Sequence, residues 1–150
     1  MSQTQQPSQE NEIQFKIIKG SPTQYSITSK LNEIDICITN YSDDKTMMIC
    51  LTDCGCFRKW VQTTRTTSEI RFGLSANVDP FPTSMGRLLI AHLDGVDKLL
   101  LGVGIKEPSR EKLLMIVEHI KIVMVKAIIA LKEEQKQSQQ QHDEDDFDDI

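Results

Sequence analysis

Between Lys98 and Leu131 the sequence KLLLGVGIKEPSREKLLMIVEHIKIVMVKAIIAL sets two elements back to back, and together they limit what the rest of the chain can build. Leu99–Ile105 is an apolar run long enough for one strand and far short of the roughly 18 residues that cross a bilayer. Lys106-Glu107-Pro108 interrupts it, and Pro108 suits a first helical position, where its missing N–H is not needed. Leu113, Ile116, Val117, Ile120, Val123, Met124, Ala127 and Leu131 then recur at helical spacing. They form one apolar stripe, which must bury against another layer, and a sheet containing the preceding strand is the expected one. Ile122, Val125, Ile128 and Ile129 fall off that stripe. The helix therefore has a second face that favours burial, covered either by its own chain or by a partner subunit.

The upstream sequence supplies the sheet. Ile13, Phe15 and Ile17 alternate with polar residues up to the turn signal Gly20-Ser21-Pro22. Alternation resumes through Tyr25, Ile27 and Ser29, breaks at Asn32-Glu33, and returns through Ile34, Ile36 and Ile38. After Tyr41–Lys45, Thr46–Leu51 reads as a fourth strand, so the first four predict an antiparallel meander. Thr52–Ser68 shows no clear period and reads as a long loop, with a strand possible around Phe57–Val61. Glu69–Leu74 reads as another strand. Asp79 is placed to cap a helix with Pro80 or Pro82 in its first turn, and Phe81, Met85, Leu88, Leu89 and His92 follow at helical spacing to Asp94-Gly95. The fold expected is α+β: an antiparallel sheet of about six strands with two helices packed on it, in the order β-β-β-β-β-α-β-α.

A chain of 150 residues with charged, Gln-rich ends predicts one domain over 12–134, flanked by disordered tails at 1–11 and 135–150. The net charge is −5, but six carboxylates between Asp143 and Asp149 outweigh it, leaving residues 1–142 at +1. A near-neutral body gives no basic face for nucleic acid. No apolar run spans a membrane, and the N-terminal MSQTQQPSQEN has no apolar leader segment. A cytoplasmic setting is expected, with the nucleus as a second compartment.

Catalytic signatures are missing from the pattern. Gly102-Val103-Gly104 lacks the third glycine of a dinucleotide loop and lies inside the apolar run, where glycines more often admit a packed helix. Walker, nucleophile-elbow and H-E-x-x-H motifs are absent. Cys37 and Cys50 fall in strand patterns and read as small core residues. Cys54-Gly55-Cys56 is the reactive-looking pair, because Gly55 permits a turn that exposes both thiols. Its spacing does not match the paired knuckles of a zinc site, so no metal or cofactor is expected. His92 and His119 read as boundary residues of helical faces, and His142 belongs to the tail, whose acidic run reads as a solvated segment or an arm for a basic surface.

Several segments in this order resemble the proteasome assembly chaperone 3 family. Gly20–Gln24 resembles its first turn and Ile34–Thr39 its third strand. Ile70–Leu74 followed by Asp79-Pro80 resembles its strand-to-helix junction. Leu99–Lys106 with Ser109, Leu113 and His119-Ile120-Lys121 resembles its closing strand and helix. The resemblance runs from about Ile13 to Val125; both tails, the longer last helix and the Cys54–Thr67 loop depart from it. It implies a protein that is not an enzyme and that pairs as a heterodimer with the related fourth-type assembly chaperone. It also implies binding to α-type subunits of the 20S proteasome while the α-ring forms. The expected contacts are Phe72, Leu74, Asp79 and Phe81 at the junction and Ile122, Val125, Ile128 and Ile129 on the helix. Two other functions compete: a roadblock- or longin-like trafficking adaptor, and an enzyme using Cys54 or Cys56 as nucleophile.

Overall fold

Seven strands and two helices make up the computed structural model, which describes residues 13–20, 24–41, 45–72 and 80–148, with side chains through residue 137. The strands are β1 (Phe15–Lys19), β2 (Gln24–Leu31), β3 (Ile34–Tyr41), β4 (Thr46–Thr52), β5 (Lys59–Thr64), β6 (Ser68–Phe72) and β7 (Lys98–Gly104). Helix α1 spans Phe81–Ile90 and α2 spans Arg110–Asp148. The α+β architecture is as expected, with one strand more than the pattern predicts. The sheet order is β1-β2-β3-β4-β7-β5-β6. Every pairing is antiparallel except β4 with β7, which run parallel with Ile49 opposite Leu101.

Alternation builds the core directly. The strand registers align Ile17, Ile27, Ile38, Ile49, Leu101, Val61 and Ile70 in one row across all seven strands. The five central members of that row are fully buried. Both helices lie on this face: α1 sits over β5, β7 and β6, and α2 over β2 and β1. Phe81, Met85 and Leu89 of α1 meet Leu113, Ile116, Val117, Ile120, Val123, Met124 and Ala127 of α2 in one cluster. A row of isoleucines and leucines on a pleated surface, capped by two amphipathic helices, is the burial that drives the fold.

Several expectations change in detail. The strand offered around Phe57–Val61 is Lys59–Thr64; its inward residues are Val61 and Thr63, and the polar Thr63 breaks the hydrophobic alternation that would have marked its full length. Thr63 is buried against Gly86 of α1, a position with no room for a Cβ. Pro108 lies outside α2. Ser109 caps it instead, its Oγ accepting from the Lys112 N–H at 3.1 Å. Asp79 lies outside the described residues, as does the 1–11 tail. At the start of α1 the capping position is Pro80, whose carbonyl accepts from the Thr83 hydroxyl at 3.1 Å. Arg65 closes the other end of α1, donating to the carbonyls of Ile90 at 3.2 Å and Leu93 at 2.7 Å. The tail expected at 135–150 is helical backbone as far as Asp148. The run from Lys132 to Gln141 contains no Gly or Pro, and Lys, Glu and Gln propagate a helix well.

His119 ties α2 to the sheet. It is buried, and its Nε2 lies 2.9 Å from Ser29 Oγ, while that hydroxyl donates to the Gln14 carbonyl at 2.8 Å. The serine proton is thus committed, so Nε2 carries the hydrogen and donates to Ser29. Burial holds the His119 pKa below its ordinary value. The folded state therefore resists protonation more than the unfolded chain does, and this contribution is lost as pH falls below about 6.5. The urea midpoint is expected to fall between pH 7.5 and 6, and His119→Gln should flatten that slope. An unchanged slope in the variant would assign the pH dependence to other groups.

Candidate functional site

Two surfaces stand out once the core is assembled: the outer face of α2 and the turn joining β4 to β5. On α2, Ile128, Ile129 and Val125 are 39%, 52% and 57% exposed, Ile122 is half-buried, and Leu114 and Met115 are exposed about two turns upstream of Ile122. Met115, Ile122, Val125 and Ile129 follow a 7-3-4 spacing, which forms a narrow seam of the kind that takes another helix. Lys121, Lys126 and Lys132 border it, and Lys121 approaches Glu118 at 3.5 Å. Beside the seam lies a cavity of about 510 Å³ whose walls include Tyr25, Asn40, His92, Met124, Val125 and Ile128. A second cavity, about 400 Å³, separates the starts of the two helices, between Phe81 and Leu88 on one side and Leu113 and Leu114 on the other.

The residues proposed as a contact surface do not gather in one place. Phe72, at the end of edge strand β6, is 62% exposed. Phe81 is only 6% exposed and is a core residue that also walls the smaller cavity. Leu74 and Asp79 lie outside the described residues. Ile122, Val125, Ile128 and Ile129 do share one side of α2. Sequence reasoning missed Leu88, Leu114 and Met115, which are exposed apolar residues; Leu88 and Leu114 line the smaller cavity. Leu114 and Met115 sit one position either side of the buried stripe's Leu113 and Ile116, and a heptad count through Ile122 would have found Met115.

The turn after β4 is the chemically distinctive site. Gly55 adopts φ +79°, which reverses the chain between the two cysteines. The sulfurs of Cys54 and Cys56 lie 3.4 Å apart. Thr52 anchors the turn: its hydroxyl is 2.9 Å from the Cys56 carbonyl and 3.1 Å from that of Gly104, and it accepts from the Cys54 N–H at 3.1 Å. The Asp53 N–H donates to the Gly104 carbonyl at 3.1 Å, Arg58 N–H to Val103 at 2.9 Å, and Lys106 N–H to Asp53 Oδ1 at 3.0 Å. The paired glycines of β7 allow this closeness. A Cβ on Gly104 would occupy the space of the Cys56 carbonyl, and one on Gly102 would meet the Trp60 indole. The close neighbours are thus a turn and an indole, where a helix was expected. A hydrogen bond with the Cys56 backbone, then the Thr52 hydroxyl and the Cys56 thiol, hold the Cys54 pKa below its ordinary value, with Arg58 adding a smaller pull. Cys37 and Cys50 face each other across β3 and β4, and burial, followed by the Cys37 neighbour, pushes the Cys50 thiol up to about 11.

Among known families, the chain is similar to the PFEMP1 DBL domain over residues 24–69, from the first residue of β2 to the second of β6. No curated protein matches the chain. The resemblance to the proteasome assembly chaperone 3 family is corrected by this result: the family that matches is a different one. The segments behind that resemblance were turns, apolar strands and a helix in sequence order, and small α+β sheets of unrelated origin share such an order. The PFEMP1 DBL match covers less than half of the chain and leaves out both helices and β7.

Proposed function

We propose that this protein is a non-catalytic interaction module that docks a partner's helix along the outer seam of α2. The observation that carries this reading is the exposure of Val125, Ile128 and Ile129 on a helix whose opposite side already fills the core. Exposed branched side chains clustered on one helix face lose water when a complementary surface arrives, at about 25 cal/mol per Å² of apolar area removed from solvent. The 7-3-4 spacing favours a helix as the occupant, and the flanking lysines favour one bordered by carboxylates.

Co-purification of the tagged full chain at low salt, beside a Val125→Asp/Ile129→Asp variant, tests this. The wild-type chain should retain a partner that the variant loses, with the affinity falling roughly thirtyfold or more for the loss of a hot spot. The variant's circular dichroism should match wild type, because neither side chain is in the core. Proteasome α-type subunits with a second small chaperone would mark an assembly role; small GTPases or coat proteins would mark a trafficking adaptor. A partner held equally by both chains would move the docking surface off α2. A wild-type chain without any partner would overturn the reading.

A further inference from the structure

We propose that Cys54 and Cys56 form a reversible dithiol–disulfide pair that exchanges with small-molecule disulfides. The sulfurs are in contact at 3.4 Å, so closing the bond to its usual length of about 2.05 Å needs a shift of little more than 1 Å. Gly55, already at φ +79°, supplies the one backbone conformation that a side chain at that position would resist. The turn is held on both sides by the Thr52 and Asp53 hydrogen bonds to Gly104 and Cys56, so the two thiols are presented together and not merely near one another. Cys56 is exposed and Cys54 half-buried, which leaves both within reach of a small reagent.

The chemistry balances without a metal. The Cys54 thiolate attacks one sulfur of a disulfide RSSR and forms Cys54–S–S–R, expelling RS⁻, which takes up a proton. Cys56 gives up its proton and attacks the Cys54 sulfur, expelling the second RS⁻. The two cysteines are oxidised to one disulfide and RSSR is reduced to two thiols. The hydrogen bonds that favour the Cys54 thiolate favour its role as the attacking group. A ring closed across a single residue is strained, so the product should be readily reduced again, as expected of a labile bond rather than a structural one. Cys50 is unsuited to the same reaction at neutral pH, because a thiol pushed up to about 11 is almost wholly protonated there.

The test uses the full chain equilibrated with graded ratios of oxidised to reduced glutathione, followed by acid quenching, alkylation and peptide mass mapping. Increasing oxidation should convert the peptide holding Cys54 and Cys56 to a form two hydrogens lighter and closed to alkylation, while Cys37 and Cys50 stay alkylated. Excess reduced glutathione should reverse it. In Cys56→Ser, where no resolving thiol remains, a glutathione adduct should accumulate on Cys54. Under brief labelling of the reduced protein near pH 7, Cys54 should react at least about tenfold faster than Cys50. Uniform slow labelling of all four cysteines, a disulfide that instead joins Cys37 to Cys50, or a Cys56→Ser chain that takes up no glutathione would each overturn the proposal.

Discussion

Ile116→Asp should abolish folding. Ile116 has no solvent exposure and lies in the middle of the buried stripe of α2, within the hydrophobic core cluster. An aspartate there must either bury an unpaired carboxylate, at a cost of several kcal/mol, or bind a proton and still leave polar oxygens without partners. Lost packing adds about 2–5 kcal/mol for removal of a large aliphatic group. Against a total stability of about 5–15 kcal/mol for a domain this size, the sum removes most or all of it. The near-ultraviolet dichroism and the cooperative thermal transition should both disappear. Ile116→Val, which trims one methylene, should fold with a loss of about 0.5–1.5 kcal/mol. An Asp variant melting within about 1 kcal/mol of wild type would mean that this face of α2 is not the buried one.

The second large effect is expected at Gly104. A methyl group at this position overlaps the backbone carbonyl of Cys56 and crowds the Thr52 hydroxyl at 3.0 Å. A carbonyl cannot swing aside as a long side chain can, so the whole Asp53–Cys56 turn has to move. That movement loosens the Thr52 contacts to Cys56 and Gly104 and the Asp53 bond to Gly104. Overpacking costs about 1–3 kcal/mol and each weakened hydrogen bond about 1 kcal/mol, partly offset by the lower chain entropy of alanine. Gly104→Ala should therefore lose about 2–4 kcal/mol in urea titration. Gly20→Ala is the control, because a Cβ there meets nothing within 4 Å, and its effect should stay within about 0.5 kcal/mol. Equal midpoints for the two variants would contradict the close approach of the turn to β7.

Much of the fold was legible, and the reason is the period of its apolar residues. Ile27, Ile38 and Ile49 announce their strands by alternation, and the stripe through Leu113, Ile116 and Ile120 announces its helix and the face it buries. Alternation says which way a side chain points and nothing about which strand lies beside it. The place of β7 between β4 and β5, and its parallel pairing with β4, were therefore beyond reach. β5 was visible only as an optional strand around Phe57–Val61 and not to its end at Thr64, because half of its inward side is Thr63, whose burial depends on the missing side chain of Gly86 far along the chain. The site followed the same logic. Val125, Ile128 and Ile129 were visible as a second apolar face because helical spacing places them. Phe81 has the same chemistry, and only the packing of α1 shows that it belongs to the core. The thiols at Cys54 and Cys56 were recognisable as a pair; their anchoring by Thr52 and the Gly104 carbonyl comes from residues about fifty positions apart, which no local pattern records.

The central position of β7 also governs the order in which the molecule can be made. A growing chain that has not yet reached Lys98 has already produced β1–β4 as one block and β5 with β6 as another, and each block ends in an unpaired edge. The edge of β4 carries Met47, Ile49 and Leu51, and that of β5 carries Trp60 and Val61; open edges of this kind template association with other chains. Only the emergence of Lys98–Gly104 closes both at once, across connections of about 45 residues from β4 and about 33 from β5 whose ends are slow to meet. Substitutions in β7 thus lengthen the life of a two-edged intermediate as well as weakening the finished sheet, and the yield of soluble protein during synthesis should be more sensitive to them than equilibrium stability is.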